Sequence, residues 1–257
     1  MAKATRHVVV TGAGTGIGRA IALGLAAKGT SLTLLARDVA RLEATAELAR
    51  ERGAQAQAIP CDIRKRKQVV LAFADAVTRF GPLHVLVANS GIGGPNAAGP
   101  KDRFDDIVAT NLVGTYSCLR AAERHLAPGP APRHLVVIAS ILARIGVANY
   151  TGYCASKTAL LGLVRALAAE LAHANVQVNA VCPGWVNTEM ARTGLDGFAK
   201  AMNSSYERAL EVAMESVPLK RMSEPEDIAG LVRWLVSKDG RGVTGQALDM
   251  NNGAWMG

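Results

Sequence analysis

Long apolar runs are missing from this chain. No stretch of its 257 residues approaches the ~18 consecutive apolar positions that a membrane-crossing helix needs. The opening residues lead straight into a strand-like segment, so neither a leader nor an anchor is expected, and a cytoplasmic location follows. Aromatic residues are scarce at 4%, while 49% of the chain is hydrophobic, so the core must be built from aliphatic side chains, alanine and glycine. That mixture suits helices packed closely on a sheet. Cysteine is rare too: Cys61, Cys118, Cys154 and Cys182 are widely spaced, with no C-x-x-C pair and no clustered histidine. Reduced thiols and no metal site are expected. Acidic residues are outnumbered, leaving a net charge of +8, with basic residues dispersed except for Arg64-Lys65-Arg66-Lys67. No aromatic residue interleaves with that run, which argues against a nucleic-acid surface. A solvated helix start explains it; a patch for an acidic carrier protein or a phosphorylated substrate is the alternative.

What the chain does contain is a regular alternation of short apolar runs and longer helical patterns. Arg6–Thr11 (R-H-V-V-V-T) reads as a buried strand. Next comes Gly12-Ala13-Gly14-Thr15-Gly16-Ile17-Gly18, which opens a helix ending near Gly29. In that context loop amides and the helix N-terminus can hold a pyrophosphate, whose approach side chains would block. The spacing is G-x-x-x-G-x-G, and four glycines in seven residues favour a phosphate cradle over a merely tight turn. A second strand over 31–36 ends at Arg37-Asp38. An arginine there favours a 2′-phosphate and hence NADP(H); Asp38, one residue on, would favour NAD(H) if the register moved by one.

A charged helix over 39–52 leads to a third strand, Gln55–Pro60, closed by Cys61-Asp62-Ile63. Asp62 is placed either to accept from an adenine amino group or to cap a helix. That helix, over 65–80, leads to a strand over 83–88 and to Asn89-Ser90-Gly91. The breaker-rich stretch 93–100 is a candidate mobile wall of a pocket. A long helix over 102–125 carries Asn111 in its interior, and an indifferent helix former in an apolar stretch implies a specific side-chain partner. A fifth strand over 134–139 delivers Ser140 at its carboxyl end.

Tyr153 and Lys157 are four apart and share one helix face. A free phenol keeps its proton to pH ~10. A unit positive charge ~4–5 Å away, at an effective dielectric of ~20, is worth ~3–4 kcal/mol, or two to three pK units. Such a phenol can exchange a proton with an alcohol or ketone. Beyond Lys157 the helix is apolar on nearly every face, which predicts burial on two sides and therefore a homo-oligomer. A sixth strand over 176–181 ends at Cys182-Pro183-Gly184-Trp185-Val186-Asn187-Thr188. The segment 189–217, with Met190, Met202 and Met214, is expected as a lid over a hydrophobic substrate rather than as core. A helix over 224–238 and a strand over 246–250 complete one doubly wound α/β domain spanning 1–257.

Taken in order, T-G-A-G-T-G-I-G at 11–18, Asp62-Ile63, Asn89-x-Gly91, Asn111, Ser140, Y-C-A-S-K at 153–157, and Pro183-Gly184 with Thr188 resemble the short-chain dehydrogenase/reductase family over essentially the whole chain. The resemblance implies a Rossmann-type parallel seven-stranded sheet in the order 3-2-1-4-5-6-7, flanked by helices. It implies a catalytic tetrad of Asn111, Ser140, Tyr153 and Lys157, and usually a homotetramer. Cofactor contacts fall on Gly12, Thr15, Gly16, Ile17, Gly18, Arg37, Asp62, Ile63, Asn89, Gly91, Tyr153, Lys157, Pro183, Gly184, Val186 and Thr188. Ser140 and Tyr153 would meet the substrate oxygen, Lys157 the nicotinamide ribose, and Asn111 a water that relays protons to Lys157. NADP(H) is the expected cofactor, with NAD(H) the alternative.

The section from V-N-A-V-C-P-G-W-V through V-T-G-Q-A-L-D-M most resembles bacterial ketoacyl and polyketide ketoreductases. A small carbonyl or alcohol substrate follows, free or linked to a carrier protein or coenzyme A. The alternatives are a secondary- or cyclic-alcohol dehydrogenase working oxidatively, and a nucleotide-binding scaffold without chemistry. The chain departs from the family at Ala88-Asn89-Ser90-Gly91, where N-N-A-G is frequent, losing an amide that commonly ties adjacent strands. Arg144 is either a surface residue or a ligand for a carboxylate or phosphate. Arg192, Lys200, Lys220 and Arg221 are either solvated or favour acyl-carrier and coenzyme A substrates.

Overall fold

The structure, a computed structural model, describes residues 6–257; the expectation about a leader in the first residues lies outside them. Three consecutive valines in β1 (Arg6–Thr11) are fully buried, as a strand covered on both faces requires. β1 pairs in parallel with β2 (Thr30–Ala36) on one side and β4 (Val85–Ala88) on the other. Adding β3 (Gln55–Pro60), β5 (Arg133–Ile138), β6 (Val176–Pro183) and β7 (Ala247–Met250) gives a parallel seven-stranded sheet in the order β3-β2-β1-β4-β5-β6-β7. This is the expected order. The connections reverse direction between β1 and β4, and the crevice there, at the carboxyl ends, is where such sheets bind ligands.

Helices cover both faces. α1 (Gly16–Leu25), α2 (Val39–Glu51) and α9 (Pro225–Leu235) bury Ile21, Leu42 and Ile228 on one side. α3 (Arg66–Phe80), α5 (Thr115–Glu123) and α6 (Thr151–Leu171) bury Phe73, Leu119 and Leu160 on the other. Two helices, α7 (Glu189–Ala201) and α8 (Tyr206–Glu215), stand apart with a small core of Leu195, Ala213, Met214 and Val217. Met214 is thus part of that core, a correction to its expected place facing a substrate. Its neighbours at helical spacing bury it from within the pair.

The long helix expected over 102–125 is also corrected. It divides into α4 (Phe104–Val108), a π-helical turn at Ala109–Gly114, and α5. The π turn widens the helix around Asn111, and such turns are frequent at functional sites. Gly114 is required by crowding, since a Cβ there would lie 2.8 Å from the Ile63 side chain.

At the opposite, amino end of the sheet, three histidines meet. His7 accepts His84 N–H at its main-chain oxygen (2.9 Å), and its ring bonds Gly81 O (2.8 Å) and Thr33 Oγ1 (3.0 Å). His134 N–H donates to His84 O at 2.9 Å. Burial pushes both His7 and His134 down to about 4. The unfolded chain therefore binds more protons than the folded one below pH ~6.5, so the stability these neutral rings contribute is intact above ~6.5 and lost as pH falls toward 4. Between pH 7.5 and pH 5 the loss is expected to be about 2 kcal/mol per histidine. Urea melts at the two pH values check it, and an unchanged midpoint would refute it.

Candidate active site

The glycine loop is tied down from below by β4. Thr11 Oγ1 accepts from Asn89 N–H and Ser90 N–H, both at 3.0 Å, and Asn89 Nδ2 donates to Thr11 O (3.0 Å) and Gly12 O (3.2 Å). The tie that Ala88 does not supply is made here by Thr11 and Asn89. Gly12 has φ +65°, and a Cβ on Gly18 would lie 2.2 Å from Gly12 O and 2.4 Å from Asn89 Nδ2. Those two glycines answer to the packing of the loop itself. Gly16 faces the cleft instead: a Cβ there would come within 3.1 Å of Thr188 Cγ2. Thr188 caps α7, accepting from Ala191 N–H and donating to Val186 O at 3.2 Å. A pocket of about 310 Å³ runs from Thr15 and Gly16 along α1 (Arg19, Leu23) to Asn187–Glu189 and to Pro225 at the start of α9. Pro183 and Gly184 end β6, where a Cβ on Gly184 would meet Asn251 Cα at 2.9 Å.

At the end of β2, Asp38 is spent on α2, accepting from Arg41 N–H at 3.1 Å. Arg37 is exposed and forms no ion pair among the described residues. The one-residue ambiguity between them is thereby removed. Asp62 is not the cap of α3, whose cap position is Lys65. Its carboxylate accepts from Arg64 Nε at 3.0 Å and Nη2 at 2.7 Å, and that pairing holds it below the usual carboxylate range. Ile63 is buried beside it. Arg64 also faces Asp106 at 3.7 Å, whereas Lys65, Arg66 and Lys67 are exposed, as a solvated helix start predicts.

Ser140 follows β5 in extended conformation and accepts from Leu142 N–H at 3.1 Å. Tyr153 stands in the first turn of α6, near enough to Ser140 for that hydroxyl to act on the phenol. One turn on, Lys157 lies with Nζ 5.7 Å from the Tyr153 ring centre and donates to Ile138 O at 2.8 Å. Gly91 makes room: a Cβ there would lie 3.1 Å from Asn111 Oδ1 and 3.6 Å from Lys157 Nζ. Asn111 does have the specific partners its sequence context implied. Oδ1 accepts from Ile92 N–H (2.8 Å), and Nδ2 donates to Ile92 O (3.0 Å) and Ser156 Oγ (3.2 Å). The amide joins the π turn to α6 and to the segment after β4.

Electrostatics differ from expectation. Burial raises the Tyr153 phenol above its ordinary value, and the neighbouring Ser140 hydroxyl pulls the other way. The Lys157 ammonium is itself desolvated, lowered to about 8, and aimed at a carbonyl. Burial, rather than the charge one helical turn away, sets the direction of this phenol's shift.

Two features escaped the sequence. Asn96 is buried and pins the stretch 93–100, donating to Asp102 Oδ1 (3.1 Å) and Thr151 Oγ1 (2.9 Å) while accepting from Gly152 N–H (2.9 Å). An asparagine among glycines and prolines reads as a turn residue, so its reach of 56 positions left no local signal. Met190, at the start of α7, meets Gly93: a Cβ on Gly93 would lie 3.1 Å from its Sδ and 3.8 Å from Tyr153 Cε2. Arg144 is not available to a substrate. It pairs with Asp249 at 3.0 Å, donates to Ala247 O at 2.9 Å and stacks 4.8 Å above Trp255. Lys220 donates to Glu215 O at 2.7 Å, Arg221 faces Asp227 at 3.8 Å, and Arg192 and Lys200 carry no ion pair among the described residues.

A glycine loop facing a helix cap at the switch point of a parallel sheet, with a serine and a tyrosine close to a buried lysine past the carboxyl end of β5, defines a dinucleotide-dependent oxidoreductase. A family model described as enoyl-(acyl carrier protein) reductase matches residues 12–254. The ketoacyl reductase of the monensin polyketide synthase from Streptomyces virginiae is 36% identical over 252 residues, covering 97% of each chain. The 3-oxoacyl-(acyl-carrier-protein) reductase of Staphylococcus epidermidis is 31% identical over 98% of this chain and 99% of its own length. A variant of the actinorhodin polyketide ketoreductase, solved with NADPH, superposes with a TM-score of 0.90 at 33% identity over 97% of both chains. The chain belongs to the short-chain dehydrogenase/reductase family.

Proposed function

We propose that this protein is an NADP(H)-dependent ketoreductase, interconverting a ketone and a secondary alcohol on a ketoacyl- or polyketide-type substrate. The observation that carries it is the convergence of the Ser140 and Tyr153 hydroxyls beside buried Lys157, past the carboxyl end of β5. Two hydroxyls converging on one point suit a single carbonyl oxygen better than a carbon–carbon double bond. The cleft fits the cofactor: Gly16 leaves the space a side chain would fill against Thr188, and exposed Arg37 suits a 2′-phosphate. The relative solved with NADPH and the ketoacyl reductases among the relatives support the same choice.

Thr15–Gly18 and Thr188 would hold the pyrophosphate, Asp62 and Ile63 the adenine end, and Lys157 the nicotinamide ribose, with Gly91 and Val186 lining the path. NADP(H) supplies or takes up the hydride at the carbonyl carbon. Ser140 and Tyr153 orient the substrate oxygen, and Tyr153 gives its proton as negative charge develops there. Lys157 stabilises the phenolate that forms, and Asn111 positions α6 by holding Ser156 and Ile92. The segment 189–217 serves as a lid, with Met190 against the loop beside Tyr153. The catalytic role of the tetrad, the cytoplasmic location and a homotetramer belong to the same proposal. Exposed Val113 and Tyr116, with exposed Ala159, Gly162 and Ala166 on α6, support a subunit contact. Arg64–Lys67 suits an acidic carrier if the substrate is carrier-linked.

Steady-state kinetics with NADPH and NADH against β-ketoacyl thioesters, cyclic ketones, their alcohols and an enoyl thioester test this. β-Ketoacyl reduction is expected, with NADPH preferred by about 10- to 100-fold, the worth of charge-assisted hydrogen bonds to one phosphate. Faster alcohol oxidation than ketone reduction at neutral pH would favour the oxidative dehydrogenase. No turnover anywhere in the panel would favour the scaffold.

A further inference from the structure

Arg41 joins two parts of the molecule that no other described ion pair connects. It lies in the first turn of α2, four residues after Arg37, and its Cβ is 3.1 Å from where a Cβ on Gly14 would be. From that place beside the glycine loop its Nη1 reaches Glu189 Oε2 at 2.7 Å, 148 residues away, at the start of α7. Glu189 follows Thr188, which faces Gly16 across the cleft. The pair therefore spans the cleft mouth, from the wall that would hold the adenosine to the helix that carries Met190. Both side chains are open to solvent, at 50% and 71% of full exposure, so the pair is screened and readily exchanged. Glu189 is also an unhelpful neighbour for a polyanionic nucleotide unless a cation neutralises it.

We infer that Arg41 is a second residue selecting NADP(H), and that Glu189 competes with the 2′-phosphate for its guanidinium. Arginine binds phosphate oxygens through its planar fork more strongly than it binds an exposed carboxylate, so the phosphate displaces Glu189. NAD(H) offers nothing to displace it. The ion pair is thus a tether between α2 and the lid that only the phosphorylated cofactor releases. This rests on the NADP(H) assignment above.

The test is direct binding, read from cofactor fluorescence, with NADPH and NADH titrated separately into the full chain; the quantity compared is the ratio of their dissociation constants. Arg41→Met is expected to cut the preference for NADPH about tenfold, and Arg41→Lys to restore most of it. Arg41 Nε also faces Asp38 at 3.4 Å, so Glu189→Gln releases only the Nη1 side of the guanidinium; it is expected to raise the preference about threefold, but to leave it unchanged in the Arg41→Met background. Thermal melts confirm that each variant is folded. If Arg37→Ala abolishes the preference while Arg41→Met leaves it intact, the role of Arg41 is refuted and the cofactor assignment stands. If Glu189→Gln acts equally with and without Arg41, competition is refuted. A wild-type protein that binds NADH more tightly overturns the cofactor assignment itself.

Discussion

Replacing Tyr153 with phenylalanine is expected to lower kcat by about 10³-fold, the usual worth of a positioned general acid, with NADPH affinity changed less than about twofold. The substitution removes one hydroxyl and keeps the ring. Packing against Gly93, and through it Met190, is therefore preserved. What is lost is the phenolic proton beside Ser140. Because burial raises this phenol rather than lowering it, the group stays protonated at neutral pH and acts as an acid in the reductive direction. Single-turnover rates and cofactor fluorescence separate the two effects. A variant keeping more than about a tenth of wild-type turnover would remove Tyr153 from the chemistry.

Lys157→Met is expected to lose activity and gain stability. The buried ammonium has its pKa lowered from 10.5 to about 8. The sign follows from proton counting: between pH 8 and 10.5 the unfolded chain binds the extra proton, so stability rises with pH across that window. Below pH 8 both states are protonated, and burial costs the folded state a constant ~3 kcal/mol. Methionine fills similar space without charge, but leaves the Ile138 carbonyl without its donor, an offset of ~1 kcal/mol. The net gain at pH 7 is about 2 kcal/mol, or ~4–8 °C in Tm for a chain of this size. The advantage should shrink toward pH 10, as the wild-type lysine deprotonates. Melts of both proteins at pH 7 and pH 9.5 decide the matter: an equal or lower Tm for Lys157→Met at pH 7 would show that this lysine is not held at a cost. A site that sacrifices stability to keep an ammonium buried is one that uses it.

Much of the fold was legible because strand and helix periods are local. Most strands were readable as short apolar runs, β3 (Q-A-Q-A-I-P) being the exception, and Tyr153 with Lys157 needed only the helical repeat. Boundaries moved by a residue or two where tertiary pairing decides them, as when Leu83 forms an isolated bridge to Leu126 instead of opening β4. The π turn was invisible, since its cause lies in Asn111 reaching Ile92 and in Gly114 pressed on Ile63. Arg144 looked free in sequence and is paired in space with Asp249, 105 residues on.

By itself the sequence determined the alternating architecture, the glycine loop and the one-turn spacing of Tyr153 and Lys157, because each depends on neighbours within a few positions. Only the tertiary structure decided which groups are charged and what they are aimed at. It set the direction of the Tyr153 shift, gave Asp38 to a helix and left Arg37 exposed, and placed Arg41 against Glu189. Desolvation and ion pairing depend on what surrounds a group in three dimensions, and those neighbours come from distant parts of the chain.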